Sequence, residues 1–272
     1  MNNFKEDTKF KANPYNFNNS LISEIDIINI MKKLNINDFT PNNISFYQTS
    51  FIHKSYCNMK DYEEYEYPGA PCLTLQYTSY ETLEFLGDAI LGSVVSSYLY
   101  RRFYEIHGQN EGFLTKLKIR IICGENLCEL SKHLHFGKHI VISKHIEENC
   151  SGRVNSNILE DVFEAFIGAI YMDHGYDIAE KFIIQVIENY VDFTEKLMID
   201  TNYKDQISRY FQRIYDDGSR PIYKHTKSEK NDIFICELYH KDKLLITGEG
   251  ISKKKSEQDV SKKALMYFNV IT

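Results

Sequence analysis

The stretch that decides the fold runs Tyr80-Glu81-Thr82-Leu83-Glu84-Phe85-Leu86-Gly87-Asp88-Ala89-Ile90-Leu91. Three of its carboxylates, on Glu81, Glu84 and Asp88, stand at positions i, i+3 and i+7, so they share one face of a helix. The apolar residues around them are of types that fill protein cores, namely Leu83, Phe85, Leu86, Ile90 and Leu91. The stretch therefore predicts a core helix that carries acidic side chains.

A second segment repeats this pattern and runs Ile158-Leu159-Glu160-Asp161-Val162-Phe163-Glu164-Ala165-Phe166-Ile167-Gly168-Ala169-Ile170-Tyr171. Asp161 and Glu164 stand at i and i+3, and most of the other residues are apolar, which is typical of a buried helix. Burying an unpaired carboxylate is costly. No Lys or Arg stands three or four residues from the four central carboxylates, which are Glu84, Asp88, Asp161 and Glu164.

A hard divalent cation would satisfy these four carboxylates. Ligands that are all oxygen suit Mg²⁺ or Mn²⁺ rather than zinc. Carboxylates around one or two such ions are the apparatus of phosphodiester hydrolysis, in which the metal neutralises the phosphate and activates the attacking water. In the alternative interpretation the acids of both helices simply point to solvent. The apolar residues on both flanks favour the metal site.

The charge of the chain differs between its two parts. The length of 272 residues leaves room for two ordinary domains, and the net charge is −6. Residues 200–272 contain 14 Lys and Arg against 11 Asp and Glu, whereas residues 1–199 contain 18 against 27. An acidic part therefore precedes a basic part, and a basic part is compatible with a nucleic-acid partner.

Composition excludes several classes of protein. No apolar run approaches the roughly 20 residues that span a bilayer. The polar N-terminal residues lack the layout of a signal peptide, and the six cysteines form no CxxC pair and no zinc-like group. We therefore expect no membrane partner and a reducing, intracellular location. That location would be the cytoplasm, or the host cytoplasm if the protein is viral.

Helical periodicity runs through residues 21–199 and predicts an all-helical domain, preceded by a polar extension at residues 1–20. The predicted helices are Leu21–Leu34, Phe46–Tyr56, Tyr80–Phe103, Gly112–Ile122, Glu125–His135, Asn157–Met172 and Ile178–Glu195. Residues 58–79 contain Pro68, Gly69, Pro71 and an acidic run rich in Tyr. We interpret them as a mobile loop or insertion.

The pattern changes at residues 200–272, which predict a compact α+β module. A helix at Tyr203–Tyr215 precedes strands that include Ile233–Tyr239 and Leu244–Thr247, and a helix at Lys253–Phe268 follows. Phe234, Cys236 and Leu238 should share one face of the sheet, and Val260, Ala264 and Phe268 form one stripe of the last helix.

The acidic motifs resemble those of a known family. Glu81–Ala89 is very similar to the signature of ribonuclease III, and Ile158–Ala165 resembles its second acidic motif. Phe51–Ser55 resembles its Thr-His-x-Ser element, and Asn110–Leu117 resembles its Glu-Gly-x-Leu-Thr-x-Leu helix start. The resemblance covers about residues 25–272. It implies a multi-domain fold, in which an all-α catalytic domain is followed by a small α+β (α-β-β-β-α) double-stranded-RNA-binding domain.

The resemblance also implies an activity and a site. The metal-binding catalytic carboxylates would be Glu84, Asp88, Asp161 and Glu164, with Mg²⁺ as cofactor and Mn²⁺ as a substitute. Glu81 and Glu111 would support the metals or their waters. The family cuts double-stranded RNA by metal-activated water and leaves 5′-phosphate and 3′-hydroxyl ends with short 3′ overhangs. Its catalytic domains form a homodimer.

Some residues depart from the family pattern or allow two interpretations. Tyr80 stands where Asn is common, Thr82 replaces a basic residue and Glu160 replaces Ala, but none of these changes removes a metal ligand. We interpret His53 as a buried, hydrogen-bonded structural residue rather than a catalytic base. The apolar face with Gly168 and Ala169 suits either a dimer interface or packing within one chain.

The last helix opens with three consecutive lysines, Lys253, Lys254 and Lys255. Cations at a helix N-terminus oppose the helix dipole, so an RNA phosphate would complete the site. A solvated basic turn is the alternative. The sequence Gly248–Lys254 resembles the lead-in of a double-stranded-RNA-binding domain, which implies that these lysines bind phosphates. Lys227–Lys230 and Ser208-Arg209 depart from that family, so we expect binding that depends mainly on phosphates and weakens with salt.

Two other functions were weighed against an active endoribonuclease. A non-catalytic protein that sequesters double-stranded RNA could use the same fold, but the presence of all four central carboxylates favours the enzyme. A larger Dicer-like enzyme would need a second catalytic domain, for which 272 residues leave no room.

Overall fold

The protein is described from a computed structural model, which covers residues 12–193, 202–215, 218–227 and 233–271. These residues form two compact units, one before and one after residues 194–201. The predicted domain boundary between residues 199 and 200 lies outside the described residues. No helix in the four described ranges is long and apolar enough to cross a bilayer.

The N-terminal unit is built from helices, as the sequence predicts. Its described helices are α1 (Glu24–Lys33), α2 (Ile44–Thr49), α3 (Glu81–Leu99), α4 (Glu111–Ile121), α5 (Gly124–His133), α6 (Lys144–Asn149), α7 (Ser156–His174) and α8 (Tyr176–Tyr190). A π-helical turn at Tyr100–Glu105 continues α3. Short 3₁₀ turns lie at Lys54–Tyr56, Lys60–Tyr62, Phe136–His139 and Gly152–Val154.

Local chemistry sets the ends of several helices. Helix α1 begins after Ser23, whose hydroxyl accepts a hydrogen bond from the backbone of Asp26 in a capping box. Helix α7 begins after Asn155, whose side chain caps the first turn. Helix α5 ends at His133, and His135 then adopts a positive φ of 58°. These caps explain why some helices begin or end a few residues away from the predicted positions.

Helices α3 and α7 pack backbone against backbone at two glycines. A Cβ atom at Gly87 would lie 1.8 Å from the carbonyl oxygen of Glu164. A Cβ atom at Gly168 would lie 2.2 Å from the carbonyl oxygen of Leu83. Because neither position has room for a side chain, the two glycines fix the distance between the acidic helices.

One expectation about these helices is wrong, and the structure decides between two interpretations of another face. Phe85 was assigned to the core, but 81% of its surface is exposed. Leu83, Gly87 and Ile90 occupy the face of α3 that packs inward, and Phe85 stands on another face. The face with Gly168 and Ala169, for which a dimer interface was one interpretation, is buried within this chain, and Gly168 lies against Leu83.

The predicted helix Phe46–Tyr56 is also wrong, because α2 ends at Thr49. The next residues form a short parallel bridge between Ile52 and Val141. The backbone of Val141 donates to Phe51 and accepts from His53, each at 2.9 Å, so these groups bond to a distant strand-like segment instead of a helical turn. Apolar residues at helical spacing are buried here without forming one long helix.

Residues 58–79, expected to be a mobile loop, are packed by their tyrosines and by backbone bonds. Tyr62 and Cys72 are buried. The hydroxyl of Tyr56 donates to the carbonyl of Leu73 at 2.7 Å, and the backbone of Asn58 donates to Gln76 at 2.8 Å. The backbone of the segment is that of the predicted loop, with a short 3₁₀ turn at Lys60–Tyr62, whereas its mobility and its origin as an insertion stay predictions.

The described part of the N-terminal extension lies against the helical unit. Two buried asparagines, Asn16 and Asn19, donate from their side chains to the carbonyl of Ile142 at 3.1 and 2.9 Å. The guanidinium of Arg153 donates to the carbonyl of Asn18 and forms an ion pair of 3.0 Å with Glu147. These residues therefore belong structurally to the helical unit.

The C-terminal unit has the predicted order of helix, three strands and helix. Its elements are α9 (Tyr203–Ile214), β1 (Ile222–Lys227), β2 (Phe234–His240), β3 (Lys243–Gly250) and α10 (Lys253–Tyr267). The strands form an antiparallel sheet in the order β1-β2-β3. The sequence analysis gave no bounds for β1, because its residues are mostly polar and exposed.

The core of the C-terminal unit lies between the sheet and the two helices. Cys236 and Leu238 on β2 are buried against Val260 and Ala264 on α10, as predicted, and Phe268 packs on the same cluster. Gly248 and Gly250 allow β3 to approach α10, since a Cβ at Gly248 would lie 2.5 Å from the backbone nitrogen of Val260. The Gly-x-Gly sequence thus positions the start of α10.

Candidate active site and RNA interface

Five of the predicted catalytic carboxylates lie on the paired helices α3 and α7. Glu81, Glu84 and Asp88 are on α3, and Asp161 and Glu164 are on α7. Glu84, Asp161 and Glu164 are half-buried, whereas Glu81 and Asp88 are exposed. The close glycine contact described above brings the two acidic faces together.

The carboxylates interact electrostatically across the helix pair. Burial raises the pKa of Glu164 to about 8, and the charges of Asp88, Glu160, Glu84 and Asp161 add to this rise. Burial also raises the pKa of Glu84 to about 7, with further increases from Asp161 and Glu81. Negative charge from each helix therefore opposes ionisation on the other.

Lys54 is a cation beside this acidic cluster that the sequence analysis did not single out. Its ammonium group lies 3.0 Å from Glu81, and this hydrogen bond holds the pKa of Glu81 below its ordinary value. Its charge also partly offsets the rise in pKa at Glu84 and Asp161. Lys54 is distant in sequence from both helices, so helical spacing could not reveal this contact.

His53, beside Lys54, has the contacts of a structural residue. Its Nδ1 accepts a hydrogen bond from the backbone of Ser55 at 3.1 Å. Burial lowers the pKa of His53 to about 4, so the imidazole is neutral near pH 7. These contacts agree with the interpretation of His53 as a buried, hydrogen-bonded residue.

Two residues that depart from the family pattern lie at the cluster. The hydroxyl of Tyr80 donates a hydrogen bond of 2.8 Å to Asp161. Glu160 adds a sixth carboxylate to the acidic cluster of the two helices, and burial raises its pKa. The carboxylate of Glu160 lies against the start of α5, where a Cβ at Gly124 would be 2.1 Å from its Oε2.

Glu111 lies apart from the contacts that link the other five carboxylates. It is the first residue of α4, and the hydroxyl of Thr115 donates to its carboxylate at 2.9 Å. It borders a groove that it shares with Tyr100 and Tyr104 at the end of α3. A supporting role for Glu111 therefore stays a prediction from the family resemblance.

The donor set fits a hard divalent cation in its chemistry. In their present positions, no three His, Cys, Asp or Glu side chains among the described residues are grouped closely enough to hold a metal ion. The two helices nevertheless present only oxygen ligands, which hard divalent cations prefer to softer metals. Burial and repulsion between the helices raise the pKa of both Glu84 and Glu164, and a bound cation would favour their ionised forms.

These pKa values predict how stability depends on pH without metal. Glu84 and Glu164 have ordinary pKa values of 4.5 and folded values of about 7 and 8. Their contribution to stability is complete below the ordinary pKa and is lost as pH rises through the folded values. We expect the unfolding temperature in EDTA to fall as pH rises from about 4.5 to about 8, and to fall less in Glu164→Gln. Circular dichroism melts measure this, and equal falls in the two proteins would contradict it.

The N-terminus of α10 is the candidate RNA interface. Lys253, Lys254 and Lys255 are all exposed in its first turn, which contains no acidic residue. The hydroxyl of Ser252 caps the helix by accepting from the backbone of Lys255 at 3.2 Å. The first turn of α10 therefore combines exposed positive side chains with a helix N-terminus, a combination that favours phosphate binding.

The other positions considered for RNA contact give less support. Arg209 forms an ion pair of 2.8 Å with Asp205 along α9, and Ser208 bonds to the carbonyl of Lys204. Of the segment Lys227–Lys230, residues 228–230 lie outside the described residues.

Comparison with known proteins agrees with both units. A family model described as Ribonuclease-III-like matches residues 43–191, and a double-stranded RNA binding motif matches residues 203–267. The probable ribonuclease 3 of Acanthamoeba polyphaga mimivirus is 38% identical over 71% of this chain. The matched region is 35% of the length of the mimivirus protein. Ribonuclease 3 of Enterococcus faecalis is 35% identical over 82% of this chain and 90% of its own length.

Among solved structures, the nuclease domain of ribonuclease III from Campylobacter jejuni is similar to 61% of this chain and 98% of its own length, with a TM-score of 0.48 and 28% identity. The family match covers more than half of the chain, and the Enterococcus relative is matched over most of both sequences. The chain therefore belongs to the ribonuclease III family of endoribonucleases, with a helical nuclease domain followed by a double-stranded RNA binding motif.

Proposed function

We propose that this protein hydrolyses phosphodiester bonds of double-stranded RNA and leaves 5′-phosphate and 3′-hydroxyl ends with short 3′ overhangs. The observation that carries the proposal is the pairing of α3 and α7, which brings carboxylates of both helices within electrostatic reach of one another. The exposed lysines at the start of α10 supply a surface for RNA phosphates. Family membership supports both assignments.

The cofactor of this reaction would be Mg²⁺, with Mn²⁺ as a substitute. Glu84, Asp88, Asp161 and Glu164 would hold it, and Glu81 and Glu111 would orient water around it. When bound, the cation neutralises the scissile phosphate, activates the attacking water and stabilises the leaving 3′-oxygen. Without it, the paired negative charges of α3 and α7 repel the RNA backbone.

Incubation of the protein with a long RNA duplex tests the proposed function. We expect short duplex fragments with 5′-phosphates and 3′ overhangs in Mg²⁺, and intact RNA in EDTA. End sequencing with and without phosphatase treatment identifies the fragment ends. An intact duplex that is nevertheless bound would support the alternative function, a non-catalytic protein that sequesters double-stranded RNA.

Replacing Lys253, Lys254 and Lys255 with alanine should weaken RNA binding. It should also reduce the extent to which RNA affinity depends on salt concentration. Each phosphate contact contributes about one unit to the slope of log affinity against log salt concentration. Filter binding of a cleavage-deficient protein in increasing KCl measures this slope. Lys263→Ala is the control, because Lys263 is near the other end of α10 and pairs with Asp259 at 2.7 Å. Equal slopes in the triple variant and the control would contradict the assignment.

We further propose that the nuclease domain pairs with a second copy through the face that carries Phe85. The ring of Phe85, which follows Glu84 on α3, has 81% of its surface exposed, and covering such an apolar surface is more favourable than leaving it in water. A two-fold interface at this face would place two carboxylate clusters near each other, as staggered cuts in the two RNA strands require.

Phe85→Ala should therefore dissociate the dimer while leaving the unfolding temperature of the monomer nearly unchanged. Sedimentation velocity at several concentrations measures the oligomeric state. Ile25→Ala is a matched control, because Ile25 on α1 is also 71% exposed and should not affect pairing. A wild-type protein that remains monomeric at all concentrations would overturn the proposal.

A further inference from the structure

Tyr80 is fixed in place at the entrance to α3. Its side chain is only 3% exposed, and its ring lies 5.8 Å from the ring of His53. Its backbone nitrogen donates to the carbonyl of Ile52 at 2.9 Å, and its carbonyl accepts from Leu83 and Glu84 in the first turn of α3. Contacts of the backbone and of the ring therefore hold Tyr80 in place independently of its hydroxyl.

That hydroxyl makes a specific bond to the facing helix. It donates to Oδ2 of Asp161 at 2.8 Å, which joins the start of α3 to α7. Because an ionised carboxylate can only accept hydrogen bonds, the hydroxyl of Tyr80 is the donor in this pair. Asp161 is left with its second oxygen for another ligand.

We propose that Tyr80 is a positioning residue, whose hydroxyl orients the carboxylate of Asp161 and thereby sets the affinity of the site for a divalent cation. The inference rests on the proposed function. Groups that hydrogen-bond to metal ligands fix the orientation of those ligands, and removing one typically costs about 10- to 100-fold in metal affinity or activity. Without this bond, repulsion from the neighbouring carboxylates would turn Asp161 away from the cluster.

A second bond between a tyrosine hydroxyl and an aspartate of α7 offers a matched control for Tyr80→Phe. Tyr47 is completely buried, and its hydroxyl donates to Oδ2 of Asp173 on α7 at 2.9 Å. Tyr47→Phe and Tyr80→Phe thus each remove one hydroxyl from a buried ring and one hydrogen bond to an aspartate of α7. The bond from Tyr47 reaches α7 about three helical turns from Asp161, whereas the bond from Tyr80 is made to Asp161 itself.

Mn²⁺ titration of the full chain, with free Mn²⁺ followed by electron paramagnetic resonance, tests the inference. We expect Tyr80→Phe to bind Mn²⁺ about 10- to 100-fold more weakly than wild type, and Tyr47→Phe to bind within about twofold. In cleavage assays, the Mg²⁺ concentration for half-maximal rate should rise by a similar factor in Tyr80→Phe, and the rate at saturating Mg²⁺ should change less. Melting in EDTA checks that both variants are folded.

A double-mutant cycle tests whether Tyr80 acts through Asp161 rather than through a general effect on the fold. If Tyr80 acts through Asp161, adding Tyr80→Phe to Asp161→Asn should weaken Mn²⁺ binding no further. Unchanged Mn²⁺ affinity in a folded Tyr80→Phe, or an additive loss in the double variant, would overturn this inference alone. A wild-type protein that neither binds Mn²⁺ nor cleaves duplex RNA would instead overturn the proposed function.

Discussion

Glu164→Gln should reduce cleavage of double-stranded RNA by roughly a thousandfold while leaving RNA binding unchanged. A metal ion contributes several kcal/mol of charge stabilisation to such reactions, and about 4 kcal/mol corresponds to a thousandfold change in rate. Glutamine keeps the shape of the side chain but removes a charge that would hold the cation. Binding should persist because the lysines of α10 belong to the other unit.

Single-turnover cleavage of a labelled duplex in saturating Mg²⁺ measures this loss. Glu148→Gln is the control, because it makes the same chemical change on α6, where Glu148 is exposed and pairs only loosely with Lys144 at 3.9 Å. We expect the control to cleave within about twofold of wild type, as surface changes away from a site rarely matter. Full activity in Glu164→Gln would show that the cluster does not hold the catalytic metal.

Gly87→Ala should damage both stability and activity, although alanine normally stabilises a helix. The new Cβ would lie 1.8 Å from the carbonyl oxygen of Glu164, and backbone on both sides has little freedom to move. Overpacking of this kind costs about 1–3 kcal/mol or more. For a unit of this size that corresponds to a fall in melting temperature of about 2–12 °C. Separating α3 from α7 by about an ångström should lower the cleavage rate about 100-fold.

Gly92→Ala, five positions further along α3, should have the opposite effect on stability. A Cβ there would meet only the ammonium group of Lys118, at an ordinary contact distance of 3.7 Å. Replacing a helical glycine with alanine should then stabilise the protein by about 0.5–1 kcal/mol. Thermal unfolding of the two variants compares them directly. If both changes shift stability in the same direction, the glycine contact between α3 and α7 does not control their spacing.

Features that local sequence patterns determine were predicted well. The i, i+3 and i+7 spacing assigned Glu81, Glu84 and Asp88 to one helix, and the apolar surroundings of Asp161 and Glu164 indicated a buried partner helix. Alternation along β2 assigned Cys236 and Leu238 to the core of the second unit. Such patterns depend on the periods of helix and strand, which a single sequence displays directly.

Features that depend on distant contacts were missed. Nothing near Lys54 in sequence indicates that it pairs with Glu81, and nothing near Tyr80 indicates its bond to Asp161. The segment after Thr49 was assigned to a helix because its apolar residues have helical spacing, although the backbone there pairs with Val141. Phe85 was assigned to the core from its residue type, which does not reveal that its side chain is largely exposed on α3.

The proposed nuclease chemistry requires a divalent cation between α3 and α7, and anomalous diffraction from crystals grown with Mn²⁺ detects such a cation most directly. We expect one or two anomalous peaks within ligand distance of carboxylate oxygens from Glu84, Asp88, Asp161 and Glu164. Fully occupied Mn²⁺ sites elsewhere in the protein, with no peak between these two helices, would show that the two helices do not form the metal site.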